Sequence, residues 1–351
     1  MLRDLTIQNY RCFKDFQMDG LERVNLFVGN NNSGKTSLLE AIYLLVSKDK
    51  YTSLIEISAA RGEIVEEIHN FQHNSNSIQL LKRLTHVEPV EHFFYGHRLR
   101  KEHDIRIVSD NKDSDVIEKF LMAYTSTGLY VSSWIDDEEH LNSMSIDLLA
   151  DNTFNLKERS LINHMKNAIY ISDKKEDIEQ MVLIWDDIYL TDKENKVVQA
   201  LRILEPKIER IGFFKQQHHN VARLKMIGYD RPIPISSMGE GIHRILNLSM
   251  ALTKTENGVL LVDEIETGLH YQAQTDMWRL ILETAKELNV QVFATTHSWD
   301  CIAAYQEALS QVEDSSIGKL FRLDSKYGKL RAVEYDADDL EIATREGIEV
   351  R

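Results

Sequence analysis

Hydrophobic and polar positions alternate most regularly in the last third of the chain. Short apolar runs that end in polar residues are typical of buried strands, and longer segments with apolar residues three or four positions apart are typical of helices. In chain order the pattern predicts GIHRILNLSMALTK as helix, GVLLVDE as strand, YQAQTDMWRLILETAKEL as helix, VQVFATTHS as strand and SWDCIAAYQEALS as helix. This alternation predicts a parallel sheet that is covered by helices.

The first part of the chain predicts short strands that lead into a buried strand and a helix. The segment LRDLTIQNYRCFKDFQMDGLERVNLFVG contains short apolar runs and a turn at Asp19-Gly20. The buried strand comprises Leu26, Phe27 and Val28, and the helix TSLLEAIYLLV carries apolar residues on nearly all sides. Further strands are predicted at HFFYG, IRIVS, ERIGFF and ARLKMIG.

Residues 113–205 are acidic and are predicted to be mostly helical. Segments such as DVIEKFLMAY and EDIEQMVLIWDDIYL carry apolar residues at helical spacing. We therefore divide the chain into three predicted parts. An N-terminal lobe spans residues 1–112, a mostly helical insertion spans 113–205, and a C-terminal lobe spans 206–351.

The composition is that of a globular protein, with 351 residues of which 43% are hydrophobic and 28% are charged. A formal net charge of -15 argues against binding to DNA through bulk charge. Cys12 and Cys301 have no metal-ligand spacing, which favours a reducing compartment. The charged N-terminus does not resemble a signal peptide, and no apolar run approaches the roughly 18 residues of a membrane span. The predicted location is the cytoplasm, without a membrane partner.

A glycine-rich loop lies between the predicted strand at Val28 and the helix that follows. The loop matches the phosphate-loop pattern G-x-x-x-x-G-K-[ST] in full and is followed by a serine; its residues are Gly29, Asn30, Asn31, Asn32, Ser33, Gly34, Lys35, Thr36 and then Ser37. Small residues let backbone N–H groups converge on phosphates at the positive end of the helix dipole. Lys35 is expected to reach the β- and γ-phosphates, and Thr36 is expected to offer its hydroxyl to Mg²⁺.

Two adjacent carboxylates, Asp263 and Glu264, follow the buried strand Val259–Val262. Burying carboxylates at the end of a strand costs free energy unless they bind a charged partner. The structural alternative is a strand that simply ends in an acidic turn. Beside a complete phosphate loop, Asp263 is expected to hold Mg²⁺ through water. Glu264 is expected to act as the general base that polarises the attacking water.

Two further polar clusters accompany helix starts. Ser237, Gly239 and Gly241 open the predicted helix near Ile242, where a helix N-terminus offers a second anion site or Ser237 serves as an ordinary N-cap. His297 ends the strand VQVFA, at the edge where parallel sheets bind ligands. A histidine that merely precedes a helix is the alternative for His297.

The order of these motifs resembles the ABC-type ATPase head of the SMC, RecF and OLD proteins. LTIQNYRCF is similar to that group's first strand, and SMGEGIHRIL, LLVDEIETGLH and QVFATTHSWDCIAA are similar to strings that recur in small AAA-family ATPases of the OLD-like branch. The likeness covers most of the chain and is weakest across residues 50–200. It implies an α/β P-loop NTPase that binds and hydrolyses ATP with Mg²⁺. The implied head has a mixed sheet covered by helices and an antiparallel β lobe, here with a helical insertion.

The resemblance also implies roles for individual residues. Ser237, Gly239 and Gly241 match the signature motif, which in the family contacts the γ-phosphate on the opposite protomer. The residues at the D-loop positions of the same interface are Thr267, Gly268, Leu269 and His270. His297 matches the switch histidine that senses the γ-phosphate, and Arg11 matches a basic residue near the nucleotide, where a solvated charge is the alternative. These matches imply a homodimer around two ATP molecules, and higher oligomers occur among relatives.

The resemblance further implies a partner. Larger OLD proteins carry a C-terminal Toprim nuclease, whereas 54 residues follow His297 in this sequence. We therefore expect an effector in trans, Toprim-like or another nuclease, in anti-phage defence or genome maintenance. Nucleic acid would be contacted through that partner. The alternative is a RecF-like repair ATPase that holds DNA without an effector.

For each of three polar groups we give two interpretations. Gln72 is a candidate for the Q-loop glutamine or an exposed loop residue. A basic cluster suits either nucleic-acid phosphates or a solvated turn; it consists of His97, Arg98, Arg100, Lys101 and His103. Asp336 and Asp338 resemble the D-x-D pair of a Toprim nuclease, but we interpret them as part of a solvated face.

Overall fold

The computed structural model of the protein describes residues 1–47, 49–67, 83–87, 90–98, 103–111, 116–125, 128–135, 138–146, 168–172, 178–216, 219–326 and 328–351. The strands in these residues are β1 (Leu5–Tyr10), β2 (Phe13–Met18), β3 (Val24–Val28), β4 (Ile64–Glu67), β5 (Arg83–Val87), β6 (Ile105–Asn111), β7 (Val116–Thr125), β8 (Gly128–Ile135), β9 (Glu138–Ile146), β10 (Ala168–Ile171), β11 (Ile208–Gln216), β12 (His219–Met226), β13 (Ile233–Pro234), β14 (Val259–Val262), β15 (Gln291–Thr295), β16 (Gly318–Lys326) and β17 (Lys329–Tyr335). The helices are α1 (Lys35–Val46), α2 (Lys50–Ala60), α3 (Ile178–Ile188), α4 (Asp192–Leu201), α5 (Glu240–Lys254), α6 (Tyr271–Glu287), α7 (Trp299–Gln311) and α8 (Ala337–Glu346).

The chain divides into two compact units that alternate along the sequence. The first unit contains Met1, Gly20–Leu39 and Lys166–Arg351, and the second contains Leu2–Asp19 and Glu40–Met165. Helix α1 therefore begins in the first unit and ends in the second. The predicted boundaries at residues 112 and 205 are not tested by this division and stay a prediction.

The sheet of the first unit has the strand order β10-β14-β15-β3-β16-β17. Its strands pair in parallel from β10 to β16, and only β17 joins antiparallel, at the edge. The parallel sheet predicted from the last third of the chain is thereby confirmed, as are helices α5, α6 and α7 between its strands. Every residue of β3, β14 and β15 is buried, which explains why these strands appear in the sequence as unbroken apolar runs.

Helices and sheet of the first unit share one hydrophobic core. Trp278 of α6 and Tyr305 of α7 are buried in it with their ring centroids 4.6 Å apart. Full burial of a large apolar side chain stabilises the fold by roughly 1.5–3 kcal/mol. Helix α7 starts at a defined point because the Ser298 hydroxyl accepts a hydrogen bond from the N–H of Cys301 at 3.2 Å.

The main sheet of the second unit is antiparallel and has the order β2-β1-β6-β7-β8-β9. The prediction of a mostly helical segment is wrong for DVIEKFLMAY, since Val116–Thr125 is strand β7. Its apolar residues mimic helical spacing, but Phe120 and Met122 are buried on one face of a strand. Pairing with β6 and β8 supplies the backbone partners that a helix would otherwise supply locally. The helical prediction is confirmed for EDIEQMVLIWDDIYL, which contains α3.

The four remaining strand predictions have mixed outcomes. IRIVS, ERIGFF and ARLKMIG are confirmed as parts of β6, β11 and β12. HFFYG is wrong as a strand, because Val90–Phe93 is a short 3₁₀ helix and Phe94 forms an isolated bridge with Tyr10. Gly96 at φ +72° and His97 at φ +54° then turn the chain, so no strand can continue.

Neither cysteine forms a disulfide, and Cys12 is exposed whereas Cys301 is buried. Burial raises the pKa of the Cys301 thiol to about 12, so it stays protonated at neutral pH. In the part of the chain that the structure describes, no helix has the length and apolar character that a membrane span requires.

A buried lysine joins two helices of the second unit. The ammonium of Lys50, at the start of α2, donates to the carbonyls of Leu44 and Leu45 in the last turn of α1, at 2.8 and 2.7 Å. Phe120 of β7 lies beneath it, with the ring centroid 6.0 Å from Nζ. Burial lowers the pKa of Lys50 from 10.5 to about 7, although the nearby Glu118 acts to raise it.

The stability of the protein should therefore depend on pH through Lys50. Between about pH 7 and 10.5 the unfolded chain holds a proton on this amine that the folded chain has lost, so stability rises with pH there. We expect the free energy of unfolding of the wild type to increase relative to Lys50→Met from pH 7 to pH 9.5, by at most about 1.4 kcal/mol per pH unit. Urea denaturation across this range measures the free energy of unfolding.

Lys329→Met, which removes an exposed lysine, should show the same pH dependence of stability as the wild type. A difference between wild type and Lys50→Met that does not change with pH would contradict the prediction.

Candidate nucleotide-binding site

The predicted phosphate loop lies between β3 and α1, in the first unit. Gly29 has φ +146° and Gly34 has φ +96°, conformations that side chains rarely adopt. A Cβ atom on Gly29 would lie 2.6 Å from the carbonyl oxygen of Leu323 and 2.8 Å from Oγ of Ser33, so only glycine fits there. The backbone then turns from the strand into α1, whose N-terminus is a binding site for anions.

Lys35 lies within the loop, at the first position of α1. Its Nζ donates to the carbonyl oxygens of Gly29 and Asn30 at 2.8 and 3.1 Å, and the residue is 5% exposed. Burial lowers the pKa of Lys35, while the carboxylates of Asp263 and Glu264 act to raise it. A cation is thus held between the loop and the acidic pair.

The two residues predicted to hold a metal ion lie side by side. The Thr36 hydroxyl donates to Oδ2 of Asp263 at 2.8 Å, although 227 positions separate them in sequence. The hydroxyl of Thr295, at the end of β15, donates to the other carboxylate oxygen of Asp263. Three adjacent parallel strands thus bring the phosphate loop, the acidic pair and Thr295 to one edge of the sheet.

Glu264 has an unusual backbone conformation, with φ +46°. Its N–H donates to Oγ1 of Thr295 at 2.9 Å, and its carbonyl accepts from Arg244 at 2.9 Å. The carboxylate remains 41% exposed, and its Oε1 lies 3.5 Å from Nε2 of His297, which is 38% exposed. The predicted base and the predicted switch histidine are therefore neighbours, and both are accessible.

The signature residues form an exposed surface with the D-loop residues. Ser237 ends a 3₁₀ turn and is not the N-cap of α5, because Gly239 at φ +83° occupies that position. A Cβ atom on Gly241 would lie 3.2 Å from the carbonyl oxygen of Gly268, so the first turn of α5 packs closely against the D-loop residues. The exposed residues of this surface are Ser237, Gly239, Thr267, Gly268 and His270, whereas Leu269 is buried.

Arg11 is placed in the second unit, at the turn between β1 and β2. It is 7% exposed, and its guanidinium pairs with the Glu63 carboxylate at 2.5 and 3.0 Å and with Glu40 at 3.6 Å. The interpretation of Arg11 as a solvated charge is therefore wrong. Its role near the nucleotide stays a prediction.

Three residues of the site were not singled out from the sequence. Thr295 binds both acidic residues, Arg244 binds their backbone, and Glu266 accepts a hydrogen bond from the N–H of His297 at 3.1 Å. Thr295 and Glu266 stand next to recognised motifs, in TTHS and DEIE. Arg244 lies among apolar residues of α5, and a charged residue in such a segment was the sequence signal that could have identified it.

The structure describes only some of the other sequence candidates. Gln72, Arg100 and Lys101 lie outside the residues that the structure describes. His97 is exposed, with its Nδ1 3.1 Å from Nδ1 of His92. Asp336 caps α8 by accepting from the N–H of Asp339 at 2.9 Å, which agrees with a structural role.

The phosphate loop, the strand-end carboxylates and the helix-covered mixed sheet together define a P-loop ATPase head of the ABC type. The chain belongs to the AAA ATPase domain family, which matches residues 1–210 and 187–302. The motifs that resemble those of SMC and RecF proteins thus occur in a chain of this family.

Curated relatives agree with this assignment. The chain is 25% identical over 379 aligned positions to an ATP/GTP phosphatase of Helicobacter pylori, covering 93% of this chain and 94% of the relative. It is 24% identical over 356 positions to the DNA replication and repair protein RecF of Streptococcus pneumoniae, covering 88% and 96%. The protein is an ATP hydrolase of the SMC/RecF-like kind.

Solved structures show the same fold. The chain matches an Smc head bound to the C-terminal winged-helix domain of ScpA with a TM-score of 0.56 and 14% identity, covering 98% of this chain and 99% of that one. It matches an Smc head domain with an extended coiled coil from Pyrococcus furiosus with a TM-score of 0.55 and 11% identity, covering 99% of each. The predicted fold class, an α/β ABC-ATPase head, is confirmed.

Proposed function

We propose that this ATPase dimerises around ATP and acts as a switch that controls an effector protein in trans. The observation that supports the proposal is the exposed surface of signature and D-loop residues, on the same chain as the phosphate loop and the acidic pair. Ser237 and Gly239 lie at a helix N-terminus, which favours an anion. A second protomer would present its ATP to this surface, and two sites would form together.

The roles of the hydrolytic residues follow from their positions. Glu264, accessible and beside His297, is proposed as the general base that orients the attacking water. Lys35 and the loop N–H groups from Gly29 to Ser37 would hold the β- and γ-phosphates. His297, whose Nε2 lies 3.5 Å from Oε1 of the proposed base, would respond to the γ-phosphate.

Magnesium fits the oxygen atoms that the site provides. Mg²⁺ usually binds through one or two carboxylates together with substrate phosphates. Thr36 and Asp263 offer a hydroxyl and a carboxylate joined by a 2.8 Å hydrogen bond, and these two residues would hold the ion. When bound, Mg²⁺ would neutralise charge on the phosphates.

A solved structure of similar fold supports the proposed effector. An Smc head has been solved in complex with the winged-helix domain of ScpA, so a head of this fold can bind a separate protein. ATP-dependent closing and opening of two heads would give such a partner two states to distinguish. A Toprim-like or other nuclease, in OLD-like anti-phage defence or in genome maintenance, is the proposed effector.

A RecF-like activity, in which the closed heads hold DNA without an effector, is the second candidate. The match to RecF over 88% of the chain favours it. The net charge of -15 opposes it, because DNA binding depends on positive charge near the phosphates. Stimulation of ATP hydrolysis by duplex DNA would select this candidate.

ATP hydrolysis measured over a series of protein concentrations tests the dimer. Turnover per protomer should rise with concentration, since each site needs a second protomer. Ser237→Arg should lower turnover at least about tenfold and remove this dependence, because a bulky side chain would occupy the surface that faces the γ-phosphate.

The matched control is Ser325→Arg, which adds the same side chain at another exposed serine of the first unit. It should behave as the wild type. The dimer proposal fails if turnover is independent of concentration, or if Ser237→Arg hydrolyses ATP as the wild type does.

A further inference from the structure

Arg244 connects the signature helix to the acidic pair. It lies on α5, is 9% exposed, and uses one guanidinium nitrogen to donate to the carbonyl oxygens of Asp263 and Glu264, each at 2.9 Å. All three residues belong to the first unit. An arginine side chain thus spans from the signature helix to the backbone that carries the general base.

The second carbonyl belongs to a residue in a costly conformation. Glu264 has φ +46°, and a non-glycine residue in this region costs roughly 1–3 kcal/mol unless its surroundings enforce it. Thr295 of β15 holds its N–H and Arg244 of α5 holds its C=O. The backbone of Glu264, which carries the proposed base, is therefore held by hydrogen bonds with side chains of two different elements.

Helix α5 links this contact to the exposed signature surface. The helix starts at Glu240, directly after Gly239, and Arg244 is its fifth residue, about one turn from the start. Ile245 and Leu246, which follow Arg244, are buried in the hydrophobic core. Arg244 and the start of α5 thus belong to one continuous helix, and we expect a displacement at that start to reach Arg244.

We propose that Arg244 is a positioning residue that makes the orientation of Glu264 depend on what binds the signature surface of the same chain. This inference rests on the proposed dimer, in which that surface receives the partner's ATP. Binding at one site then places the base at the other, and the two sites hydrolyse cooperatively. Arg244 suits the role because one of its guanidinium nitrogens reaches both successive carbonyl oxygens, those of Asp263 and Glu264.

A double-mutant cycle between Arg244→Met and Glu264→Gln tests the connection. Arg244→Met should lower kcat about 100-fold, the loss expected when a reacting group is misplaced by about 1 Å, while KM for ATP stays within about threefold. In the Glu264→Gln background Arg244→Met should lower the residual single-turnover rate no further, because its effect passes through the removed base.

Two other readouts separate positioning from general stability. Arg244→Lys should recover part of kcat, and the Hill coefficient for ATP, above 1 in the wild type, should fall to about 1 in both Arg244 variants. Arg202→Met is the control, since Arg202 also donates to a backbone carbonyl, that of Ile208 at 2.8 Å, outside the predicted nucleotide residues. It should keep the wild-type kcat and Hill coefficient.

The inference is overturned if the two losses multiply in the double variant, if Arg244→Met keeps the wild-type kcat, or if the wild type shows no cooperativity. Should Arg244→Met fail to fold, Arg244→Lys replaces it in the same cycle. If the proposed dimer is wrong, the result is different: turnover of the wild type is then independent of protein concentration. A wild type with concentration-dependent turnover and multiplying losses would refute the role of Arg244 alone.

Discussion

Glu264→Gln is expected to abolish multiple-turnover ATP hydrolysis while ATP binding persists. A positioned general base contributes about 10²- to 10⁴-fold to the rate, and an amide cannot accept the proton of the attacking water. Glutamine keeps the size of the side chain, so the N–H of residue 264 should still donate to Thr295, and its carbonyl should still accept from Arg244. The loops that hold the phosphates are untouched.

Size-exclusion chromatography with ATP and a binding assay with a fluorescent ATP analogue together test this expectation. The variant should elute as a dimer with ATP, because hydrolysis no longer reopens the closed heads. Glu313→Gln, at an exposed acid of the first unit, should keep the wild-type turnover. A Glu264→Gln protein that hydrolyses ATP normally would show that the base is another residue, and one that binds ATP but stays at the apo mass would contradict the closed dimer.

Gly29→Ala is expected to remove ATP binding. The added Cβ would lie 2.6 Å from the carbonyl oxygen of Leu323 and 2.8 Å from Oγ of Ser33, so the backbone of the loop would have to shift. At φ +146° the alanine is also strained, and such strain costs roughly 1–3 kcal/mol. Because the loop N–H groups bind the phosphates together, a shifted loop loses several hydrogen bonds at once.

Gly228→Ala is the matched control for conformational strain. Gly228 has φ +82°, but a Cβ atom there would meet nothing within 4 Å. The control should lower Tm without changing the Kd for ATP, whereas Gly29→Ala should weaken ATP binding at least about 100-fold, the cost of roughly 3 kcal/mol. An unchanged Kd in Gly29→Ala would show that the loop does not bind the phosphates.

Much of the first unit follows from local sequence. The phosphate loop is recognisable because eight consecutive residues, Gly29 to Thr36, supply both the turn and the chemistry. Strands β3, β14 and β15 are recognisable because all of their residues are buried, which leaves an unbroken apolar run. In such segments local preference and tertiary packing agree, and the pattern predicts the structure.

The second unit shows where local pattern is insufficient. The residues of β7 place apolar side chains at a spacing that suits a helix as well as a strand. The choice is made by β6 and β8, which pair with it and bury Phe120 and Met122. The sequence of β7 alone does not specify that these strands become its neighbours.

The sequence by itself determined which residues are proposed to carry the chemistry, and only the tertiary structure decided which side chains hold them in place. Lys35, Asp263, Glu264 and His297 were identified from motifs, because their chemistry is written in short, contiguous strings. Arg244 and Thr295 become part of the site only when β14, β15 and α5 pack together. Their hydrogen bonds reach across 20 and 31 positions, and no local pattern encodes contacts between segments that folding brings together.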